Sequence, residues 1–150
     1  MTALLFDVAG RWYGLDVSQI IEVVPAVHLR EIAGVPAYVA GVLRYRGSIV
    51  PVVDVNRVLC GAPVRARFST RLVLVRYPGG AGEEHVLGLL VEGAVRGVVE
   101  QVGNLTSSGV ATPDAPYLGG LTMNGDEPVQ LVRVEHLIPD ELKVRLFVEA

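Results

Sequence analysis

The chain has 150 residues, 51% of them hydrophobic and 19% charged, with 13 Lys and Arg against 16 Asp and Glu for a net charge of −3. That excludes a disordered chain and leaves one domain with a real core, or two small barrels that share one. The acidic balance also argues against a broad phosphate-binding face, because nonspecific nucleic-acid affinity comes from clustered Lys and Arg. Aromatic residues are only 6%, so the core is aliphatic. Mean hydropathy is +0.44, which reserves some apolar surface for partners. A single cysteine, Cys60, rules out an internal disulfide and fits a reducing cytoplasm. The N-terminus lacks the pattern of a signal peptide, and the apolar runs are too interrupted to cross a bilayer.

Val-rich runs broken by 17 Gly and 9 Pro predict many short strands. Leu4 to Val8 and Arg11 to Leu15 form a hairpin that turns at Ala9-Gly10. Val17 to Val24 fits a short helical turn, with Ser18 as its cap, or a strand. Pro36 to Ala40 suits one helical turn with Pro at its first position. Next come two β runs on either side of a tight Arg-Gly turn, the most informative stretch. The first climbs to Arg46, Gly47 supplies the backbone freedom for a sharp reversal, and Ile49 to Val55 reads as a buried strand. Asn56 to Cys60 is a helical turn, capped by Asp54 or Asn56 and stopped by Gly61.

A polar stretch, Gly61 to Thr70, divides the chain near its middle. Arg71 to Tyr77 and Val86 to Val91 then form a hairpin whose tip is Pro78-Gly79-Gly80-Ala81-Gly82. Ala94 to Val102 is a further strand, and Gly103 to Pro116 a loop. Tyr117 to Met123 and Val129 to Val134 form a last hairpin with Asn124-Gly125 in its turn. Glu135 to Leu137 begins a short helical segment. Asp140 to Ala150 is open between helix and strand. Such spacing predicts barrels or sandwiches.

Groups for chemistry are scarce. His28, His85 and His136 lie far apart, without metal-ligand spacing, and read as surface or edge histidines. Cys60 sits at a turn end and reads as a small buried filler, with no base placed to activate it. No nucleophile elbow or phosphate-binding glycine loop is present. Arg65, Arg67 and Arg71 form a short basic cluster, read as a solvated loop. Asp54 reads as a cap. Glu22, the single charge within Val17 to Val24, fits an exposed strand position and a polar contact at the edge of a docking surface equally well. Arg44 and Arg46 share a face, with Tyr45 pointing inward. Arg46 at the hairpin tip is placed to meet a partner carboxylate or carbonyl.

These residues resemble the CheW family, the coupling proteins of bacterial chemosensory arrays. The resemblance runs from Phe6 and Trp12-Tyr13-Gly14-Leu15-Asp16-Val17 through Ile20, Glu22 and Val23 to Val35-Pro36-Ala37-Tyr38-Val39-Ala40-Gly41-Val42-Leu43. It continues with Tyr45-Arg46-Gly47 and Ile49-Val50-Pro51-Val52-Val53-Asp54-Val55, then Leu87-Gly88-Leu89-Leu90-Val91-Glu92 and Tyr117-Leu118-Gly119-Gly120. The Gly-Val-Leu…Arg-Gly…Ile-Val-Pro-Val-Val-Asp series is its most specific part.

The resemblance implies an all-β fold with a few short helices: two packed five-stranded SH3-like β-barrel subdomains in a single domain over 1–150. Their approximate extents are 12–64 and 65–140, with the N-terminal strand 1–11 shared. It implies an adaptor, not an enzyme, with no catalytic residue, cofactor or metal. Its partners would be the cytoplasmic tip of a methyl-accepting chemoreceptor, bound in the groove between barrels, and the regulatory domain of a CheA-type histidine kinase, bound at a barrel edge. Other CheW-like subunits would join it in rings. Nucleic-acid binding and direct membrane insertion are not implied, and the protein would be cytoplasmic, recruited to membrane-associated arrays. Carried over by position, Arg46 and Gly47 match the Arg-Gly turn associated with receptor contact. Arg71 falls where many members have an apolar residue near the receptor groove. Ile20 and Glu22 match a segment associated with kinase or receptor coupling. The turn departs from the pattern, reading Arg-Tyr-Arg-Gly where many members have Asn-Leu-Arg-Gly. Together with Ser69-Thr70-Arg71 it resembles coupling proteins of surface-sensing, cyclic-di-GMP-producing systems. Two alternatives to an adaptor are a ligand-binding or catalytic β-barrel and an isolated regulatory domain of a chemosensory kinase.

Overall fold

The computed structural model describes residues 2–65, 70–78, 84–92 and 115–147, together with the backbone of 97–99. The expected hairpin tip at Gly79–Gly82, most of the loop from Gly103 to Pro116, Arg67 and Ser69 of the polar stretch, and the last three residues lie outside them.

Strands β1 (Ala3–Val8) and β2 (Arg11–Asp16) form the expected first hairpin. Its turn takes positive φ at both central residues, Ala9 at 52° and Gly10 at 80°, the handedness that matches strand twist in two-residue hairpins. Val17–Gln19 is a 3-10 turn. Its cap is Asp16 and not Ser18: the Asp16 carboxylate accepts from both the Ser18 backbone N–H and the Ser18 hydroxyl. β3 (Ile20–Pro25) follows.

Pro36 to Ala40 is not a helical turn. Val39 N–H donates to the Pro36 carbonyl at 3.0 Å, and Val39 already opens β4 (Val39–Tyr45). Burial decides it, since Val39 is 6% exposed and pairs with Val53 across the ladder. β5 (Ser48–Asp54) returns from the Arg46-Gly47 turn. It begins and ends one residue earlier than expected. Ile49 lies on the surface, 66% exposed, and Val55 starts helix α1 (Val55–Cys60). The helix ends are as expected. Asp54 accepts from Arg57 N–H, and Gly61 closes the last turn in the left-handed region at φ 78°.

β6 (Arg71–Pro78) and β7 (Glu84–Val91) pair over their full length. β8 (Gly97–Val99) pairs with β1. β9 (Leu118–Asn124) and β10 (Glu127–Val132) form the last hairpin, whose turn is Gly125-Asp126, one residue later than expected. A 3-10 turn at Val134–His136 precedes α2 (Asp140–Leu146), so the open tail is helical. Its first turn carries Asp140 and Glu141 and its last Lys143 and Arg145, the charge order a helix dipole favours. Leu142 is buried, and Phe147 stacks on Tyr77 and His85.

The strands form two five-stranded sheets, ordered β8-β1-β2-β10-β9 and β3-β6-β7-β5-β4, so the fold is all-β with a few short helices. The middle of the chain, from β3 to β7, builds one sheet, while strands from both ends build the other. Two parallel contacts cause this. β2 pairs with β10, and β5 pairs with β7; such pairs require crossover connections, which carry the chain past its sequence neighbours.

The middle sheet is buried on both faces. Val53, Val73, Val75, Tyr77, Leu87, Leu89 and Val91 share a core with Leu4, Phe6, Val8 and Leu15 of the other sheet. Val50, Val52, Leu72, Leu74 and Leu90 form a second core on the opposite face. That double burial is why β5, β6 and β7 read as nearly continuous aliphatic runs. β1 belongs to the first sheet, but its side chains enter the core common to both.

Candidate functional site

The hairpin of β4 and β5 has the ladder Val42↔Pro51, Leu43↔Val50, Arg44↔Ile49, Tyr45↔Ser48. Arg46 (φ 49°) and Gly47 (φ 81°) are its two turn residues. Arg46 therefore leaves the strand and does not share a strand face with Arg44. A long side chain in the left-handed region is uncommon. Ala9 takes the same conformation in the first hairpin, so backbone geometry alone does not single out Arg46. Its surroundings do.

β3 and β4 are the two edges of the middle sheet. They meet at the tip through side chains. A bulge between Ile20 and Glu22 shifts the register, so that Glu22 lies opposite Leu74 and Val24 opposite Leu72. Leu72 and Leu74 belong to the sheet's inner core, which turns Glu22 toward the mouth of that core; re-aiming a side chain is what bulges do. There the Tyr45 hydroxyl donates to Glu22 Oε2 at 2.6 Å. Arg46 Nη2 stands 3.7 Å from the same oxygen, with the Arg46 side chain 72% exposed and Glu22 42% exposed. The Arg46 guanidinium also lies over the Tyr45 ring, 5.0 Å from its centroid. The hydrogen bond to Glu22 is the main reason the Tyr45 hydroxyl has a pKa above its ordinary 10.0; partial burial adds to it, and the Arg46 charge opposes it.

Of the five residues singled out from sequence, the structure brings Glu22, Arg46 and Gly47 together. Ile20 is two residues before Glu22, half-buried and packed toward the shared core. Arg71 is opposite Pro25, at the other end of β3, about 10 Å along the strand from Glu22. Its Nη1 donates to the Thr70 carbonyl at 3.0 Å. Arg65 pairs with Glu92, through its Nε at 3.8 Å and its backbone N–H, so this part of the basic stretch is neutralised locally. Asp54 is a structural cap, as expected: it is 5% exposed and accepts from Arg57 and Val64 N–H. Cys60 is exposed and not a core filler.

The sequence reading missed two features. Tyr45 was placed inward; its ring is indeed half-buried against the inner core, but its hydroxyl reaches Glu22, 23 residues away. Ile49 stands exposed beside Arg44, adding an apolar contact to the tip. A Tyr among aliphatic strand residues was the available signal for the first, since a half-buried phenol needs an acceptor.

Two depressions lie away from the hairpin tip. One, of about 510 Å³, is lined by Tyr38, Arg57, Tyr117, Leu137 and Lys143 among others. A smaller one, of about 190 Å³, includes Asp16, Gln19, Arg133 and Glu135, and Gln19 immediately precedes Ile20. Among the described residues no three His, Cys, Asp or Glu side chains converge as a metal-binding group, and no helix is long and apolar enough to cross a membrane. What this arrangement offers is a stiff hairpin tip with a cation and an aliphatic side chain on a doubly buried sheet, the equipment of a protein-docking module.

The CheW-like domain family model matches residues 2–142. The chain belongs to this family. It is 26% identical over 145 residues to a chemotaxis protein CheW from Klebsiella aerogenes, covering 92% of this chain and 81% of that protein. It is 27% identical over 74 residues to a chemotaxis protein CheW from Bacillus subtilis, covering 49% of this chain and 47% of that one. Among solved structures, the scaffolding protein TtCheW from Thermoanaerobacter tengcongensis superposes with a TM-score of 0.78 at 25% identity, covering 92% of this chain and 87% of that chain. The protein is thus a CheW-like chemotaxis scaffold of the non-enzymatic coupling kind.

Proposed function

We propose that this chain couples the cytoplasmic tips of chemoreceptors to the regulatory domain of a CheA-type histidine kinase. The observation that carries the reading is the match in fold over nearly the whole chain to a scaffolding protein, at a TM-score of 0.78. The hairpin geometry supports it. In this reading Arg46 and Gly47 face the receptor, with Arg71 beside the groove, and Ile20 and Glu22 serve the kinase contact. Aliphatic surface supplies most of the affinity, and the guanidinium sets register through its rigid pattern of donors. A kinase barrel against an edge strand would cover backbone groups that otherwise invite aggregation. The protein would be recruited from the cytoplasm to membrane-associated receptor arrays, with further CheW-like subunits completing rings. Co-purification tests the proposal: tagged chain is mixed with a recombinant receptor signalling-tip fragment and a recombinant kinase regulatory domain. Both are expected to be retained. Retention of neither would overturn the reading.

A further inference from the structure

The larger depression, of about 510 Å³, has the size of a small-molecule site. Separate stretches of chain close around it: Tyr38 before β4, Arg57 and Val58 of α1, Tyr117 before β9, and the run that ends at Lys143 of α2. Such a ring of segments encloses a compact body and offers no edge for an extended peptide. Tyr38 and Tyr117 are half-buried, and burial holds both phenols above their ordinary pKa of 10.0. At neutral pH they are therefore uncharged flat walls.

Charges on the lining are equal in number but not in contact. Glu135 Oε2 accepts from Gln19 Nε2 at 3.5 Å, and Asp140 pairs with Lys143 at 3.1 Å. The Lys143 ammonium also lies 5.4 Å from the Tyr77 ring centroid. Arg57 is different. Its side chain is half-buried, yet among the described residues no hydrogen bond or ion pair reaches its guanidinium. Asp54, close by in sequence, has its two oxygens committed to the backbone N–H groups of Arg57 and Val64. A half-buried cation without a counter-charge favours an anion from outside, and a guanidinium fork fits a carboxylate with two parallel bonds. The carboxylates of Glu135 and Asp140 on the same lining oppose a ligand with a second negative charge.

We propose that this cavity binds a small aromatic monocarboxylate, its ring against Tyr38 and Tyr117 and its carboxylate on the Arg57 guanidinium. No receptor or kinase contact enters the argument, so the site stands or falls apart from the coupling reading.

The test titrates the full chain with benzoate and follows the NMR signals of Tyr38, Tyr117 and Leu137. A ligand of this size is expected to bind with a dissociation constant on the order of 1 mM. Benzyl alcohol has the ring without the charge, and phenyl phosphate carries a second charge. Both are expected to bind about tenfold more weakly, the range of one charge-assisted hydrogen bond. Arg57→Gln is expected to lower benzoate affinity by about the same factor and to leave benzyl alcohol affinity unchanged, which shows the cavity intact. Signals that do not move at about ten times the expected constant overturn the proposal. So does benzyl alcohol or phenyl phosphate binding as tightly as benzoate, and so does wild-type benzoate affinity in Arg57→Gln. If that variant does not fold, the comparison of the three ligands on the wild-type chain decides.

Discussion

Arg46→Glu separates a docking role from a folding role. The substitution removes an exposed pair with Glu22 and sets two carboxylates against each other. At the observed 3.7 Å the repulsion between unit charges in water is about 1 kcal/mol. The lost attraction is about 0.2–1 kcal/mol for a pair this exposed. Together they lower the melting temperature by roughly 3–6 °C for a chain of this length. Binding behaves differently. An arginine desolvated at the centre of an interface contributes about 2 kcal/mol or more, so reversing its charge weakens receptor-tip binding roughly 30-fold or further. Thermal melts and titration calorimetry with a recombinant tip fragment measure the two effects on one preparation. Tip affinity within threefold of wild type would refute the reasoning. So would a variant that no longer folds, because Arg46 would then support the hairpin and not a partner.

Other expectations concern the frame around the site. Gly41 holds φ 148°, and a Cβ there would stand 2.5 Å from the Arg30 carbonyl oxygen. That oxygen accepts from Val42 N–H in the two-bond bridge joining the β3–β4 connection to β4. Gly41→Ala is therefore expected to destabilise by roughly 3–5 kcal/mol, seen as a urea midpoint lowered by more than about 1 M; an unchanged midpoint contradicts it. Asp54→Ala removes a helix cap and orphans the Val64 N–H, at a cost of about 2–3 kcal/mol. Asp54→Asn, which keeps one acceptor oxygen, should fall between the two in a denaturant titration. Tyr45 titrates above its ordinary value because ionisation would break its bond to Glu22 and set phenolate against carboxylate. A raised acid constant means that the folded state keeps a proton the unfolded chain releases. The stabilisation is fully present below pH 10 and is lost as pH rises through the folded value. Ultraviolet titration should show the Tyr45 transition moving down in Glu22→Gln, and no movement would contradict the assignment.

Local chemistry was legible in the sequence, and long-range placement was not. Ala9-Gly10 and Arg46-Gly47 read as turns because glycine permits a sharp reversal, while the positive φ of Ala9 and Arg46 themselves had no signal in residue type. Asp54 and Gly61 marked α1 because a cap and a left-handed stop are written in single residues. Pro36 misled because the same residue that opens a helix also opens a turn, and only the ladder from Val39 to Val53 decides between them. Residue type suggests a core place for Ile49 and Cys60, yet burial depends on which face of the twisted hairpin holds Ile49 and on Cys60 ending helix α1 at the surface. The allocation of strands to sheets depends on the parallel pairs β2–β10 and β5–β7, which join residues far apart in the chain and leave no local trace. The meeting of Glu22, Tyr45 and Arg46 needs the bulge after Ile20 as well as closure between two edge strands. Resemblance found Arg46 and Glu22, but only coordinates show one oxygen shared between a phenol and a guanidinium.

Kinase control is the most direct measure of coupling. Receptor signalling fragments arrayed on vesicles are mixed with a CheA-type kinase, with and without this chain, and phosphate incorporation into the kinase is followed. A scaffold that joins the two makes kinase activity respond to the receptor only when the chain is present, and Arg46→Glu abolishes that response. Receptor-dependent activity that is the same with and without the chain would contradict the account.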